Sequence, residues 1–367
     1  MNKVFIRSYG CVANQSDSEA MAGLLKEKGY DLVNSENEAD FVIVNTCSVK
    51  NTTQSKELHY LRKISKNKKV VVGGCLTKTI NVRKHIPEIL AVFDTNSLTK
   101  IPSILENPHD EFSDKKELDR LKIPVIRSKQ GVGIITIGQG CTSKCTFCAT
   151  KLARGNLMSY RIGDIKRALE EVVNNGCKTI YLTSQDNGCY GFDIKTNLPE
   201  LLNELVRIEG DYKIRIGMMN PWHVIKILNP LIKSYKNEKI MKFIHIPVQS
   251  GSEKVLKHMK RIHSVENFKF IVKKFREAFP DISIATDIIV GYPSEDEKDF
   301  QETYNLIKEI KPQVINISKF SSRQGTQASK LKQLPSQVID ERSRKLSELY
   351  KEIRKEKLNL IINPYNY

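Results

Sequence analysis

Short apolar runs alternate with helical patterns along most of the chain. Near the N-terminus, VFIRSYGC, FVIVNTC and VVVGGC read as strands that end in polar or glycine turns. Ser16 to Lys28 and Thr52 to Lys66 carry helical spacing between them. FVIV is apolar at every position, the mark of a strand covered on both faces, so a parallel, doubly wound sheet is expected. From Val132 the alternation resumes. Strands are expected over 132–138, 178–184, 212–218, 239–246, 281–290 and 313–320. Helical patterns such as Asp164 to Asn174, Leu198 to Ile208, Val265 to Phe279 and Asp296 to Ile310 separate them. Six such units predict an open six-stranded (βα)6 partial barrel, whose chemistry belongs at the C-terminal rim of its strands.

The two patterned regions are separated by residues 101–130, which hold Pro102, Pro108, Pro124 and the charged run EFSDKKELDR. That stretch reads as an inter-domain linker. The expected organisation is an N-terminal α/β domain over 1–100, the linker, the barrel over 131–330 and a C-terminal segment over 331–367. Residues 336–360 form a charged helical pattern that suits packing over the barrel, with solvated Glu–Lys and Glu–Arg pairs on its outer face.

Charge changes the picture. The 59 basic and 42 acidic residues leave a net charge of +17, which points to a polyanionic partner such as RNA. No apolar run is long enough to span a bilayer, and MNKVFIRSYGC lacks the apolar core of a signal peptide. A cytoplasmic protein with no membrane segment is expected. Eight cysteines in that reducing compartment suggest metal or catalysis rather than disulfides.

The cysteines are patterned. Cys141, Cys145 and Cys148 form C-x3-C-x2-C directly after the first barrel strand. Three thiolates can hold three irons of a 4Fe–4S cluster and leave the fourth iron open to a small molecule. Cys11, Cys47 and Cys75 each stand where an N-terminal strand gives way to a loop. In an open parallel sheet those exits share one edge, so a second three-cysteine iron–sulfur site is expected there. Cys177 reads as a buried residue. Cys189 lies in a rim loop and is not expected to be a ligand, and His245 reads as a hydrogen-bonded core residue.

At GQGCTSKCTFC the chain resembles the radical S-adenosylmethionine (SAM) superfamily. The resemblance implies that the open iron chelates SAM, whose one-electron cleavage gives a 5′-deoxyadenosyl radical. It also implies that Phe147 packs near the adenine. Several rim positions then become candidates for SAM contacts. Ser184 and Gln185 suit the amino-acid end, and Gln249 and Ser250 suit the ribose hydroxyls. Arg215 lies on the third barrel strand, and Gly291 would let backbone approach a flat base.

The order of motifs resembles the methylthiotransferases of that superfamily: RSYGCVANQSDSE, NTCSVKN, VVVGGC, GCTSKCTFCATKLARG, HIPVQSGS, DIIVGYP and the LSELY helix. NTCSVKN, CATKLARGNLMSY and TSQDNGCYGFDI resemble its archaeal and eukaryotic threonylcarbamoyladenosine branch. The resemblance implies two 4Fe–4S clusters, SAM, a tRNA anticodon stem-loop as substrate and an electron donor of ferredoxin or flavodoxin type. It implies that Cys11, Cys47 and Cys75 hold the auxiliary cluster, and that Asn14, Asp17 and Arg154 line the substrate side. The implied reaction adds a methylthio group to carbon 2 of the adenine. A differently modified adenosine or a ribosomal protein is the alternative substrate. Relatives usually end in an RNA-binding TRAM domain. This sequence ends at NPYNY without one, so weak binding to free tRNA is expected.

Overall fold

The computed structural model describes residues 2–49, 51–114 and 120–356. Part of the charged run EFSDKKELDR, the last residues of the expected 336–360 helix and the terminal NPYNY lie outside the described residues.

The N-terminal strands are β1 (Lys3–Ser8), β2 (Asp31–Leu32), β3 (Phe41–Thr46), β4 (Lys69–Gly74) and β5 (Ala91–Val92). They form one parallel sheet in the order β2-β1-β3-β4-β5. Side chains alternate across a strand, so β3 feeds both faces. Phe41 and Ile43 join the core that includes Val4 and Val71, while Val42 and Val44 join Val70 and Val72 on the other side. Helix α1 (Val12–Glu27) covers the first face, and α2 (Asn51–Ile64) and α3 (Val82–His85) lie with the second. α1 begins four residues earlier than its apolar pattern suggests, because Cys11 is its N-cap. Within the expected linker, α4 (Ile101–Glu106) sends Ile101, Ile104 and Leu105 into the first-face core.

The second region begins with β6 (Val132–Thr136), a short antiparallel pair β7 (Gly138–Gln139) and β8 (Met158–Ser159), and α5 (Ala149–Arg154) between them. It continues through α6 (Ile162–Asn174), β9 (Thr179–Thr183), α7 (Leu198–Leu205), β10 (Lys213–Ile216), α8 (Pro221–Val224) and α9 (Leu228–Tyr235). β11 (Phe243–His245), α10 (Glu253–His258), α11 (Val265–Ala278), β12 (Ser283–Val290), α12 (Glu297–Ile310), β13 (Val314–Lys319) and α13 (Ser336–Glu356) complete it. Two parallel ladders, β6-β9-β10 and β11-β12-β13, are joined by a bridge between Ile214 and Ile240. The result is the expected open arc of six parallel strands. Its core includes Ile135, Leu182, Ile216, Ile244 and Ile288 inside and Leu201, Phe268 and Ile307 from the helices.

α13 closes the far edge. Leu346, Leu349 and Ile353 enter the barrel core, and Arg342 pairs with the buried Glu295 at 2.7 Å. This helix explains Gly291. Its φ is +78°, and a Cβ there would lie 2.5 Å from Cγ1 of Ile339. The glycine therefore makes room for α13. Gly291→Ala should cost about 2 kcal/mol or more, from left-handed strain and overpacking. A clear drop in thermal midpoint checks this; an unchanged midpoint would contradict the packing argument.

Candidate functional site

The N-terminal trio is assembled by three neighbouring strand exits. β1 leads into Gly10, at φ +101°, where a Cβ would lie 2.8 Å from the Cys47 sulfur. The exits of β3 and β4 are equally close, since a Cβ on Gly74 would lie 2.4 Å from the Thr46 carbonyl. Glycine is needed at both points because backbone and sulfur leave no room for a side chain. Asn14 ties the exits together: its Nδ2 donates to the carbonyls of Tyr9 at 2.9 Å and Thr46 at 2.7 Å. Its Oδ1 accepts from Cys75 Sγ at 3.6 Å. Glu57 accepts from the Cys47 backbone N–H at 2.8 Å and so fixes that turn.

Burial pushes the Cys47 thiol up to about 12 and raises that of Cys75, with neighbouring thiols adding to the effect. Metal binding must displace those protons, and the charge of a metal centre reverses the penalty. The thiols of Cys11, Cys47 and Cys75 act on one another, with the Glu57 carboxylate behind the Cys47 backbone, and such a donor set suits an iron–sulfur cluster.

The second trio follows β6 and is held by loops from several other strands. Gly140 N–H donates to Gln185 Oε1. Cys141 lies 3.7 Å from Asp186 Oδ2, and the Ser143 N–H points at its sulfur from 3.3 Å. His223 Nδ1 bonds the same Asp186 carboxylate at 2.7 Å, and its Nε2 meets Thr142 Oγ1 at 2.9 Å. Arg261 donates to Cys145 Sγ at 3.7 Å and to the Pro247 carbonyl at 2.6 Å. Thr146 is fixed by Tyr292 at 2.8 Å, and Cys148 is the N-cap of α5.

A hydrogen bond from Cys189, assisted by the Ser143 N–H against the cost of burial, brings the Cys141 thiol down to about 7. Burial and the two neighbouring thiols raise Cys148 to about 11. Both trios thus offer convergent thiols of the kind an iron–sulfur cluster takes.

The remaining candidates divide. Ser184 accepts from the Asp186 N–H at 3.2 Å and, like Gln185, shapes the rim loop around Cys141. Gln249 holds a φ of +77° and its buried Oε1 has no hydrogen-bond partner, which suits a ligand contact. Phe147 packs with Val255, Met259 and Tyr292. Arg215 is buried between the rings of Phe243 and Tyr181, at 4.5 and 5.2 Å. Ser250 is buried and meets Thr303 of α12 at 3.2 Å.

Asn14, Asp17 and Arg154 come together, but below the N-terminal trio rather than on an open face; they are 1%, 3% and 3% exposed. Arg154 donates to Asn14 at 3.0 Å and to Asp17 at 2.5 Å, and Asp17 also pairs with Arg120. A cleft of about 780 Å³ opens between the two regions. Thr77, Lys78 and Phe112 line one wall, and Leu152 and Gly325 the other.

Sequence reading missed His223 and Arg261, whose partners lie far along the chain. It also underrated Cys189. Its sulfur, that of Cys141 and an Asp186 oxygen all lie within 4.8 Å of one another.

Residues 135–307 match the radical SAM superfamily, and residues 3–94 match the uncharacterized protein family UPF0004. The fold resembles the radical SAM methyltransferase TsrM from Kitasatospora setae, with a TM-score of 0.63 at 12% identity, over 90% of this chain and 75% of that one. It also resembles the cobalamin-dependent SAM radical enzyme OxsB, with a TM-score of 0.56 at 12% identity, over 97% of this chain and 56% of that one. The C-x3-C-x2-C loop at the rim of an open six-stranded barrel places the chain among radical SAM proteins.

Sequence similarity narrows the class. A probable threonylcarbamoyladenosine tRNA methylthiotransferase of Pyrococcus horikoshii is 43% identical, over 95% of this chain and 84% of that protein. The human threonylcarbamoyladenosine tRNA methylthiotransferase is 38% identical, over 95% of this chain and 62% of that protein. The chain belongs to the threonylcarbamoyladenosine tRNA methylthiotransferase family.

Proposed function

We propose that this protein adds a methylthio group to carbon 2 of threonylcarbamoyladenosine in tRNA. The observation that carries the reading is the pair of cysteine trios, one at three strand exits of the N-terminal sheet and one in a single loop at the barrel rim, within one chain of this family. Carbon 2 of the adenine has neither an acidic proton nor a leaving group, so the hard chemistry belongs to cofactors. Two 4Fe–4S clusters and SAM would supply it: one-electron cleavage of SAM at one site and a carrier for sulfur at the other.

The chain's own residues position and shield these groups. Cys141, Cys145 and Cys148 hold the SAM-binding cluster, and Cys11, Cys47 and Cys75 hold the auxiliary one. Asp186, His223 and Arg261 fix the loop that carries the first trio. Gln249 offers a buried, unpartnered oxygen to SAM. The cleft lined by Lys78, Phe112 and Leu152 offers RNA a surface between the two regions, where the exposed Phe112 ring can stack on a base. The target adenine must leave the anticodon-loop stack to enter.

The net charge of +17 favours phosphate binding. None of the described helices is long and apolar enough to cross a membrane. The reading places the protein in the cytoplasm, reduced by a ferredoxin or flavodoxin type donor.

The test compares nucleosides from tRNA, and peptides from ribosomal proteins, in cells with and without the gene. A methylthio mass increment on threonylcarbamoyladenosine that disappears with the gene is expected. An increment lost only from another nucleoside or from a ribosomal protein would overturn the substrate assignment.

A further inference from the structure

Arg154 is the last residue of α5, and the N-cap of that helix is Cys148. Six residues at about 1.5 Å each put roughly 9 Å of rigid backbone between a ligand of one trio and the side of the other. The guanidinium arrives beside Cys75: both meet Oδ1 of Asn14, Arg154 Nη2 at 3.0 Å and Cys75 Sγ at 3.6 Å. Its Nη2 is committed to Asn14 and Asp17. Its Nε–H is buried and has no acceptor.

The charges around this trio do not balance. Arg154 and Arg120 share the single carboxylate of Asp17. On the other side of Cys47, Arg323 faces Glu57, which is also buried. The two guanidiniums of Arg154 and Arg120 thus stand against the one carboxylate of Asp17. A buried, uncompensated cation is costly, so the arrangement favours an anion at the trio. Sulfur ligands carrying negative charge, next to a spare N–H, are that anion. Hydrogen bonds and positive charge near the sulfurs of a cluster raise its reduction potential.

We propose that Arg154 is the charge-compensating and positioning residue of the N-terminal iron–sulfur site, donating its Nε–H to a sulfur there and fixing that site one short helix away from the SAM-binding trio. It is a structural part of the site rather than a contact for RNA. The assignment rests on the two-cluster reading of the function.

The experiment uses the full chain carrying Cys141→Ala, Cys145→Ala and Cys148→Ala, so that only the N-terminal site takes iron. Iron content and midpoint potential, followed by electron paramagnetic resonance, are measured after anaerobic reconstitution. With Arg154→Gln the reduced-to-oxidised ratio at fixed potential should fall about tenfold, a shift of about 59 mV to lower potential for one electron. Arg154→Lys should keep the iron and restore most of the potential. Loss of iron from Arg154→Gln with retention in Arg154→Lys supports the same conclusion. An unchanged potential in Arg154→Gln, or equal shifts in both variants, would overturn it. Absence of iron from the Arg154 parent would remove the two-cluster reading itself, and the assignment with it.

Discussion

Cys47→Ala should leave SAM cleavage intact and lose the methylthio product by at least about a hundredfold, since removing even an outer partner of a metal ligand costs ten to a hundredfold. The reason is local. Cys47 is anchored through its backbone N–H to Glu57, and that bond survives the substitution. The turn at the exit of β3 therefore keeps its shape while one thiol is lost. Nothing in the second trio changes: Cys141 keeps Asp186 and Ser143, Cys145 keeps Arg261, and Cys148 keeps its place at the start of α5. Reduced protein should form 5′-deoxyadenosine from SAM at the wild-type level. Mass spectrometry of a modified anticodon stem-loop reads the product in the same reaction. Normal methylthio product from Cys47→Ala would make the N-terminal trio merely structural.

The converse variant should act on the other trio. Cys145→Ala removes the thiol to which Arg261 donates and one of three anchors at the SAM site. Formation of 5′-deoxyadenosine should fall below detection, because the group that binds and reduces SAM loses a ligand. The iron of the N-terminal site should be retained, because Cys11, Cys47 and Cys75 are untouched. Near-normal cleavage by Cys145→Ala would remove this trio from the chemistry.

What the sequence made legible is what depends on neighbours in the chain. The six barrel strands could be read because their apolar runs are local, the N-terminal cysteines because each follows its own strand, and the second trio because its three cysteines share one short loop. What could not be read depends on elements meeting across the fold. His223 reaches Asp186 from 37 residues away, and Arg154 reaches Asp17 from 137. No spacing rule joins such pairs. Gly291 and Ser250 could be read as rim residues, but not the contacts they make with α13 and α12. Asn14 and Asp17 carry polar groups that suggest an open face. The arrival of α5 buries them instead.

Iron content tests the central claim, that two separate trios in this chain hold two clusters. After anaerobic reconstitution the wild-type chain should carry about eight irons, two cubanes of four. Replacing Cys141, Cys145 and Cys148 together by Ala should leave about four, held by Cys11, Cys47 and Cys75. A triple variant that retains no iron would contradict the account.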